Sequence, residues 1–162
     1  MKENIISVDI SPCPKVKVRV IDAAVDDELT IKSKKKYPFT LCNRVEVTVQ
    51  TTNNTFNFYI PKGYVWNGAD IPKTLFWIGQ SKDNNYLIAS MVHDFLLEKK
   101  EDIFKNKLLN TLTVSQYRRL TSLIFRQILK DQKTNVIKAN IMAWCVDIFQ
   151  ATVNKKQWEC LK

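Results

Sequence analysis

The first half of the chain alternates apolar and polar residues with a period of two. Three segments share this pattern: 15–21 (KVKVRVI), 44–50 (RVEVTVQ) and 55–60 (TFNFYI). Such alternation is typical of a half-buried antiparallel sheet. In the first segment the pattern predicts that Val16, Val18 and Val20 share one face. Asn53 and Asn54 lie between the last two strands, and asparagine tolerates positive φ, so we predict a hairpin there.

Weaker patterns occur between these strands. LTIK near Leu29 and PFTL near Phe39 are shorter strand predictions, and KSKKK at 32–36 is predicted to be a solvated loop or sheet edge.

The second half has apolar residues at helical spacing. Three helices are predicted: one capped by Ser81 or Asp83 and ending near Lys99, one behind the capping box TVSQ in which Thr113 caps and Gln116 reaches back, and one beginning near Thr134. The third carries its apolar stripe at Ile137, Ile141, Trp144 and Ile148.

These patterns predict an α+β fold. The chain has 162 residues, 45% hydrophobic and 25% charged, which is ordinary for one globular domain. We expect a single domain over 1–162, with strands mainly in 15–60, a glycine-bearing loop at 61–80 and about three helices in 83–155.

The charge and the cysteines narrow the function classes. The net charge is +9, which favours an anionic neighbour such as nucleic acid, a membrane surface or an acidic protein. The lysines are scattered, however, so the charge equally fits plain solubility. The four cysteines are Cys13, Cys42, Cys145 and Cys160; without a C-x-x-C pair they indicate reduced, mostly buried thiols rather than structural zinc. A single histidine excludes zinc sites built on several histidines.

No stretch of the sequence is long and apolar enough to span a bilayer. The apolar part of the N-terminus is short and is interrupted by Asp9 and two prolines, so we do not expect a signal peptide.

All three glycines fall in or just after one stretch, PKGYVWNGADIP at 61–72. Asn67-Gly68 allows a tight turn that presents backbone groups to an ion, and the carboxylate of Asp70 follows two residues later. Alternatively, the stretch is a structural crossover whose aromatic residues fill the core; these are Trp66, Phe76 and Trp77.

His93 and Asp94 lie together in the middle of an apolar helical segment, MVHDFLL. An aspartate there is costly to bury unless it is paired or bound to a metal. A lone histidine at such a place is commonly a hydrogen-bonded core residue. The pair follows the glycine turn closely, so it is also a candidate catalytic site.

The combination IPKGYVWNGADIP, FW and HDFLL resembles a phage- and prophage-associated domain of unknown function. The resemblance rests on the motif P-x-G-[FY]-x-x-[DN]-G-A-x-I-P followed by H-D. Its motif residues here are Gly63, Trp66, Asn67, Gly68, Ala69, Asp70, Ile71, Pro72, His93 and Asp94. The chain departs from the family where Asn67 replaces an aspartate and Asp70 a serine. The resemblance implies a viral setting, in the cytoplasm of an infected cell or in the virion, and no established activity.

A partial resemblance to calcium-dependent secreted phospholipases concerns the His-Asp helix alone. It implies His93 as general base, Asp94 as a calcium ligand, and the Gly68–Asp70 loop, with Asp70, as the rest of the calcium site. The aspartate that orients the histidine in those enzymes would fall near Ser122, where it is missing, and their disulfides are missing too.

Three functions therefore stay open. The first is a hydrolase of esters or phosphoesters centred on His93 and Asp94, with calcium. The second is a non-enzymatic phage protein, a virion or tail component or a binder of a host factor, in which His93 and Asp94 hydrogen-bond the backbone of 66–71. The third is binding of an anionic surface through basic helix faces.

Overall fold

The structure is a computed structural model that describes residues 4–22, 24–68, 84–103 and 112–152, with residues 156 and 158. The predicted α+β class is confirmed: antiparallel strands come first and helices follow. In the described part of the chain, no helix is long and apolar enough to cross a membrane.

The larger sheet is antiparallel, in the order β1 (Ile5–Ser11), β4 (Val45–Thr51), β5 (Thr55–Ile60). The alternation of β4 and β5 is confirmed, because their apolar residues are buried and point to the helices. The hairpin is confirmed as well: Thr51 Oγ1 accepts from the backbone N–H of Asn54 at 2.9 Å. Strand β1, which the alternation did not predict, pairs with β4 along the edge opposite to β5.

The smaller sheet is also antiparallel, in the order β2 (Val16–Val18), β3 (Phe39–Leu41), β6 (Val65–Trp66). The predicted β3 is confirmed, but the prediction for 15–21 is only partly right. The strand ends at Val18, and Val18 and Val20 are exposed rather than on a core face. The reason is position: among the described strands β2 pairs only with β3, at the edge of a small sheet, so little of the described chain lies against its end.

The prediction of a strand at Leu29 and a loop at 32–36 is wrong. Helix α1 spans Glu28–Lys36. Asp27 is its N-cap and accepts from the backbone N–H of Thr30 at 2.7 Å, while lysines fill the last turn. An acidic cap and a basic last turn both favour a helix over the strand that the β-branched residues suggest.

The long helices follow the predicted places. They are α2 (Asn84–Glu98), α4 (Val114–Asp131) and α5 (Val136–Thr152), with the short α3 (Lys100–Ile103) after α2. The capping box is formed as predicted: Gln116 N–H donates to Thr113 Oγ1, and Thr113 N–H donates to Gln116 Oε1. The candidate caps Ser81 and Asp83 lie outside the described residues.

Most of the predicted apolar stripe of α5 points outward, although Ile141 packs against the core. Of its residues, Trp144 is 65% exposed, and Ile137 and Ile148 are exposed as well. The buried face carries Ala139, Met142 and Ala143 instead. Because α5 is apolar almost all round, the spacing does not select a face, and the small alanines let α5 approach α4.

The core lies between the larger sheet and helices α2 and α4. The ring of Phe95 on α2 stacks on that of Phe58 on β5, with centroids 5.8 Å apart. Tyr117 on α4 donates its hydroxyl to the carbonyl of Leu96 at 3.1 Å, which ties α4 to α2.

The described cysteines correct one expectation. Cys13 is exposed and Cys42 and Cys145 are half-buried, all three as free thiols, so they are not mostly buried. Cys160 lies outside the described residues.

The capping box makes the first prediction. Thr113→Ala should lower the free energy of unfolding by about 1 kcal/mol, because the N–H of Gln116 loses its acceptor. Urea denaturation measures this. Ser115→Ala, at an exposed position in the same first turn, is the matched control and should change stability little. Equal losses in the two variants would contradict the capping role.

Candidate functional site

The segment after β5 is shaped by two glycines with positive φ. Gly63 and Gly68 both have φ of 88°. Gly63 donates its N–H to the carbonyl of Leu41 at 2.8 Å, and Tyr64 accepts from Leu41 N–H at 2.9 Å, so the turn is hydrogen-bonded to the end of β3. Positive φ is rare for residues with a Cβ, which explains glycine at both places.

Gly68 also lies too close to its neighbours for a side chain. A Cβ there would lie 3.0 Å from the Phe39 ring and 3.8 Å from Leu87 on α2. A Cβ added at Gly63, in contrast, would have no atom of the described residues within 4 Å apart from its chain neighbours. The segment is therefore pressed between β3 and α2 at Gly68, as expected for a loop packed on the His93 helix.

Tyr64 joins the same segment to the acidic edge of α2. Its ring meets Phe95 edge-on at 5.3 Å and stacks on Trp66 at 6.2 Å. Burial raises the pKa of the Tyr64 hydroxyl well above its ordinary value, and the charges of Asp94 and Glu98 raise it further. Tyr64 therefore stays protonated beside these two carboxylates, one helical turn apart.

His93 is buried on the side of α2 that faces α4. Only 6% of the residue is exposed, and its ring meets the Phe125 ring edge-on, with centroids 5.7 Å apart. Its Nδ1 lies 3.7 Å from Asp94 Oδ1, and the Asp94 side chain is partly exposed. Within the described residues Nε2 has no hydrogen-bond partner. One expectation is a hydrogen bond from His93 to the backbone of 66–71. Nε2 does not make this bond to the described residues of that range.

Other buried polar atoms share this property. In the part of the chain that the structure describes, Trp66 Nε1, Ser122 Oγ and Arg126 Nε are buried without a hydrogen-bond partner. Ser122 is a buried residue of α4, one turn before Phe125. A serine hydroxyl cannot replace the carboxylate that would orient His93 in the phospholipase arrangement.

The remaining motif residues divide into two groups. Trp66 is buried as predicted for a core-filling aromatic, and Asn67 is exposed at the turn. Ala69, Asp70, Ile71 and Pro72 lie outside the described residues, as do Phe76, Trp77 and the third glycine, Gly79, which follow the motif. Among the described residues, no three His, Cys, Asp or Glu side chains gather where they could hold a metal ion.

Sequence reasoning missed the aromatic neighbours of the motif. Tyr64, Phe95 and Phe125 hold the loop and the histidine in place, and only their place within or near the motif could have indicated this.

Residues 41–146 match the model of a family described as a protein of unknown function, DUF1353. The protein belongs to the DUF1353 family. The match runs from the end of β3 to within α5, so it includes the glycine segment and the His-Asp helix of this DUF1353 protein and leaves out β1, β2 and α1. No curated protein and no solved structure matched the chain.

The two glycines make the second prediction, as a matched pair. Gly63→Ala should cost about 1–2 kcal/mol of unfolding free energy, the cost of a left-handed residue with a Cβ. Gly68→Ala should cost about 2–4 kcal/mol, because its Cβ also meets the Phe39 ring. The Trp66 ring packs against the Phe39 ring, with centroids 5.7 Å apart, so the Phe39 ring cannot easily move away. Chemical denaturation of both variants checks the difference. Equal costs would show that the contact at Gly68 relaxes freely.

Proposed function

We propose that this DUF1353 protein acts by binding a host or virion protein, as a non-enzymatic accessory protein of a bacteriophage or prophage. The observation that carries the proposal is the burial of His93 between α2 and α4, edge-on to Phe125. A general base must come within hydrogen-bond reach of its substrate, and a ring enclosed by two helices does not.

The motif then has a structural role. Gly68 lets the loop approach Phe39 and Leu87, and the Tyr64 ring packs on Phe95 of the His-Asp helix. These contacts fix the loop to α2 and leave the outer surfaces for a partner. The phage setting is supported by the motif's resemblance to the phage-associated domain, and we place the protein in the infected cell's cytoplasm or in the virion.

The third prediction tests this role with two substitutions of one residue. His93→Ala should lower the free energy of unfolding by about 2–3 kcal/mol, because it leaves a cavity against Phe125. His93→Leu refills the space and removes an unpartnered buried nitrogen, so it should cost less than about 1 kcal/mol. Urea denaturation measures both.

The same samples are assayed for hydrolysis of p-nitrophenyl esters and bis(p-nitrophenyl) phosphate. Wild type and His93→Leu should be equally inactive in these assays. When each is purified from infected cells, both should bring down the same partner protein. A stably folded His93→Leu that loses an activity of the wild type would overturn the proposal.

A calcium-dependent hydrolase is the second candidate, and one observation favours it. Asp94 Oδ1 lies 3.7 Å from His93 Nδ1 and the Asp94 side chain is partly exposed, so the two residues that this candidate needs lie side by side and the carboxylate can reach an ion. In this candidate Asp94 is a calcium ligand and Asp70 a second. Calcium takes six to eight oxygens, so carbonyls of the glycine loop and water would supply the rest.

The fourth prediction separates this candidate from the first. If calcium binds at Asp94, it should stabilise the fold by about 2.7 kcal/mol at a concentration 100 times its dissociation constant. Asp94→Asn should abolish the rise in melting temperature. Asp102→Asn, an equal charge change on the exposed side of α3, should keep it. A thermal melting series with calcium, magnesium, manganese and zinc provides the measurement, and no shift with any ion removes the hydrolase candidate.

A further inference from the structure

Helix α1 is formed without burying any of its residues. Nine residues are too few for a stable isolated helix in water, so contacts at its ends must hold it. Asp27 caps it, Lys34 pairs with Asp26 at 2.6 Å, and Arg19 Nη1 donates to the carbonyl of Tyr37 at 3.0 Å. The fold therefore fixes α1 in place while leaving most of its residues exposed. We call residues 15–22 and 24–37, which contain β2 and α1, the β2–α1 lobe.

The β2–α1 lobe exposes several aliphatic side chains. Five are between 40% and 81% exposed: Val18, Val20, Ile21, Val25 and Leu29. Single exposed apolar residues are normal, but five within twelve residues of the chain make this lobe a candidate interaction site.

The lobe is also basic, and its acidic groups are engaged internally. It contains seven Lys or Arg against four Asp or Glu. Besides Asp26 and Asp27, Glu28 pairs with Lys32 at 2.7 Å, and Asp22 accepts from the N–H of Ala24 at 3.0 Å. Lys15, Lys17 and Lys35 are exposed and form no ion pair within the described residues. These cations are available to a negatively charged partner.

On the outer side of α1 the two features combine. Leu29 shares a helix face with Lys32 and Lys36, three and seven residues on, and Lys36 Nζ lies 5.1 Å from the centre of the Tyr37 ring. A leucine flanked by lysines is the pattern of segments that lie at a lipid interface, with aliphatic groups among the acyl chains and ammonium groups at the head groups.

We propose that the β2–α1 lobe is a docking surface for anionic lipid membranes. Nucleic acid is the less favoured partner because single strands are bound by aromatic stacking, and the exposed apolar residues here are aliphatic. Arg19, the lobe's one arginine, is taken up by Ser33 and Tyr37. The lobe lies outside residues 41–146, which match the DUF1353 model. This proposal is therefore separate from the binding role proposed for the rest of the chain.

The fifth prediction is tested by co-sedimentation with vesicles. The protein should sediment with vesicles of phosphatidylcholine mixed with phosphatidylglycerol. With vesicles of phosphatidylcholine alone, it should stay in the supernatant. Binding should weaken as salt rises, since salt screens exposed charges. Binding to both vesicles alike, or to neither at low salt, would overturn the proposal.

Matched variants locate the surface. Lys35→Gln with Lys36→Gln should lower vesicle partitioning about 25-fold, at roughly fivefold a lysine. Lys130→Gln with Lys138→Gln changes the net charge equally on α4 and α5 and should have little effect. Leu29→Ser should lower partitioning about tenfold, while Ile137→Ser, exposed on α5, should not.

Equal effects of the lobe variants and their controls would overturn the assignment to this lobe. The proposal would also be overturned if the protein bound no vesicles but bound duplex DNA in a salt-dependent way, and if Lys35→Gln with Lys36→Gln removed that DNA binding. Because all these positions are exposed, melting temperatures should stay unchanged, and a variant that melts early is replaced by Lys15→Gln with Lys17→Gln.

Discussion

The packing around Phe95 is the contact on which the rest of the arrangement depends. Its ring stacks on Phe58 of the larger sheet and receives the edge of Tyr64 from the glycine segment. One aromatic side chain on α2 therefore joins the sheet and the loop to the helix that carries His93. Aromatic pairs of this kind contribute roughly 0.5–1.5 kcal/mol beyond the area they bury, and they also fix orientation. The direction of His93 toward α4 follows, because Phe95 and His93 lie on different faces of α2.

Much of the fold could be predicted because neighbouring residues decide it. The valines of β4 are alternately buried, and the capping box at Thr113 begins α4 where its four residues indicate. The predictions failed where local patterns conflict or are absent. At Leu29 the β-branched residues suggested a strand, but Asp27 and the following lysines stabilise a helix. In α5 the apolar residues surround the helix, so contact with α4 rather than spacing selects the buried face.

The sequence predicts which residues belong to the candidate site, but it does not predict whether His93 is buried or exposed there. The sequence motif indicates that His93 and the glycine turn belong together, and Gly68 does contact α2 through Leu87. It contains no sign that His93 would be enclosed by Phe125, because that contact comes from a helix about thirty residues further on. Burial depends on such distant contacts, and burial is what separates a structural histidine from a base.

The unpartnered polar atoms of the core and the unburied helix α1 have opposite energetic consequences. His93 Nε2 and Trp66 Nε1 lose their water on folding without a described hydrogen bond in return, which lowers the stability of the α2 packing. Such a loss is tolerated only where surrounding contacts, here those of Phe95 and Phe125, more than offset it. In the β2–α1 lobe, α1 buries none of its residues and is held by its cap and ion pairs, while β2 pairs with β3 and Val16 packs against the core. The exposed residues of α1 can therefore change without cost to the core, whereas every change at His93 acts on the packing of α2.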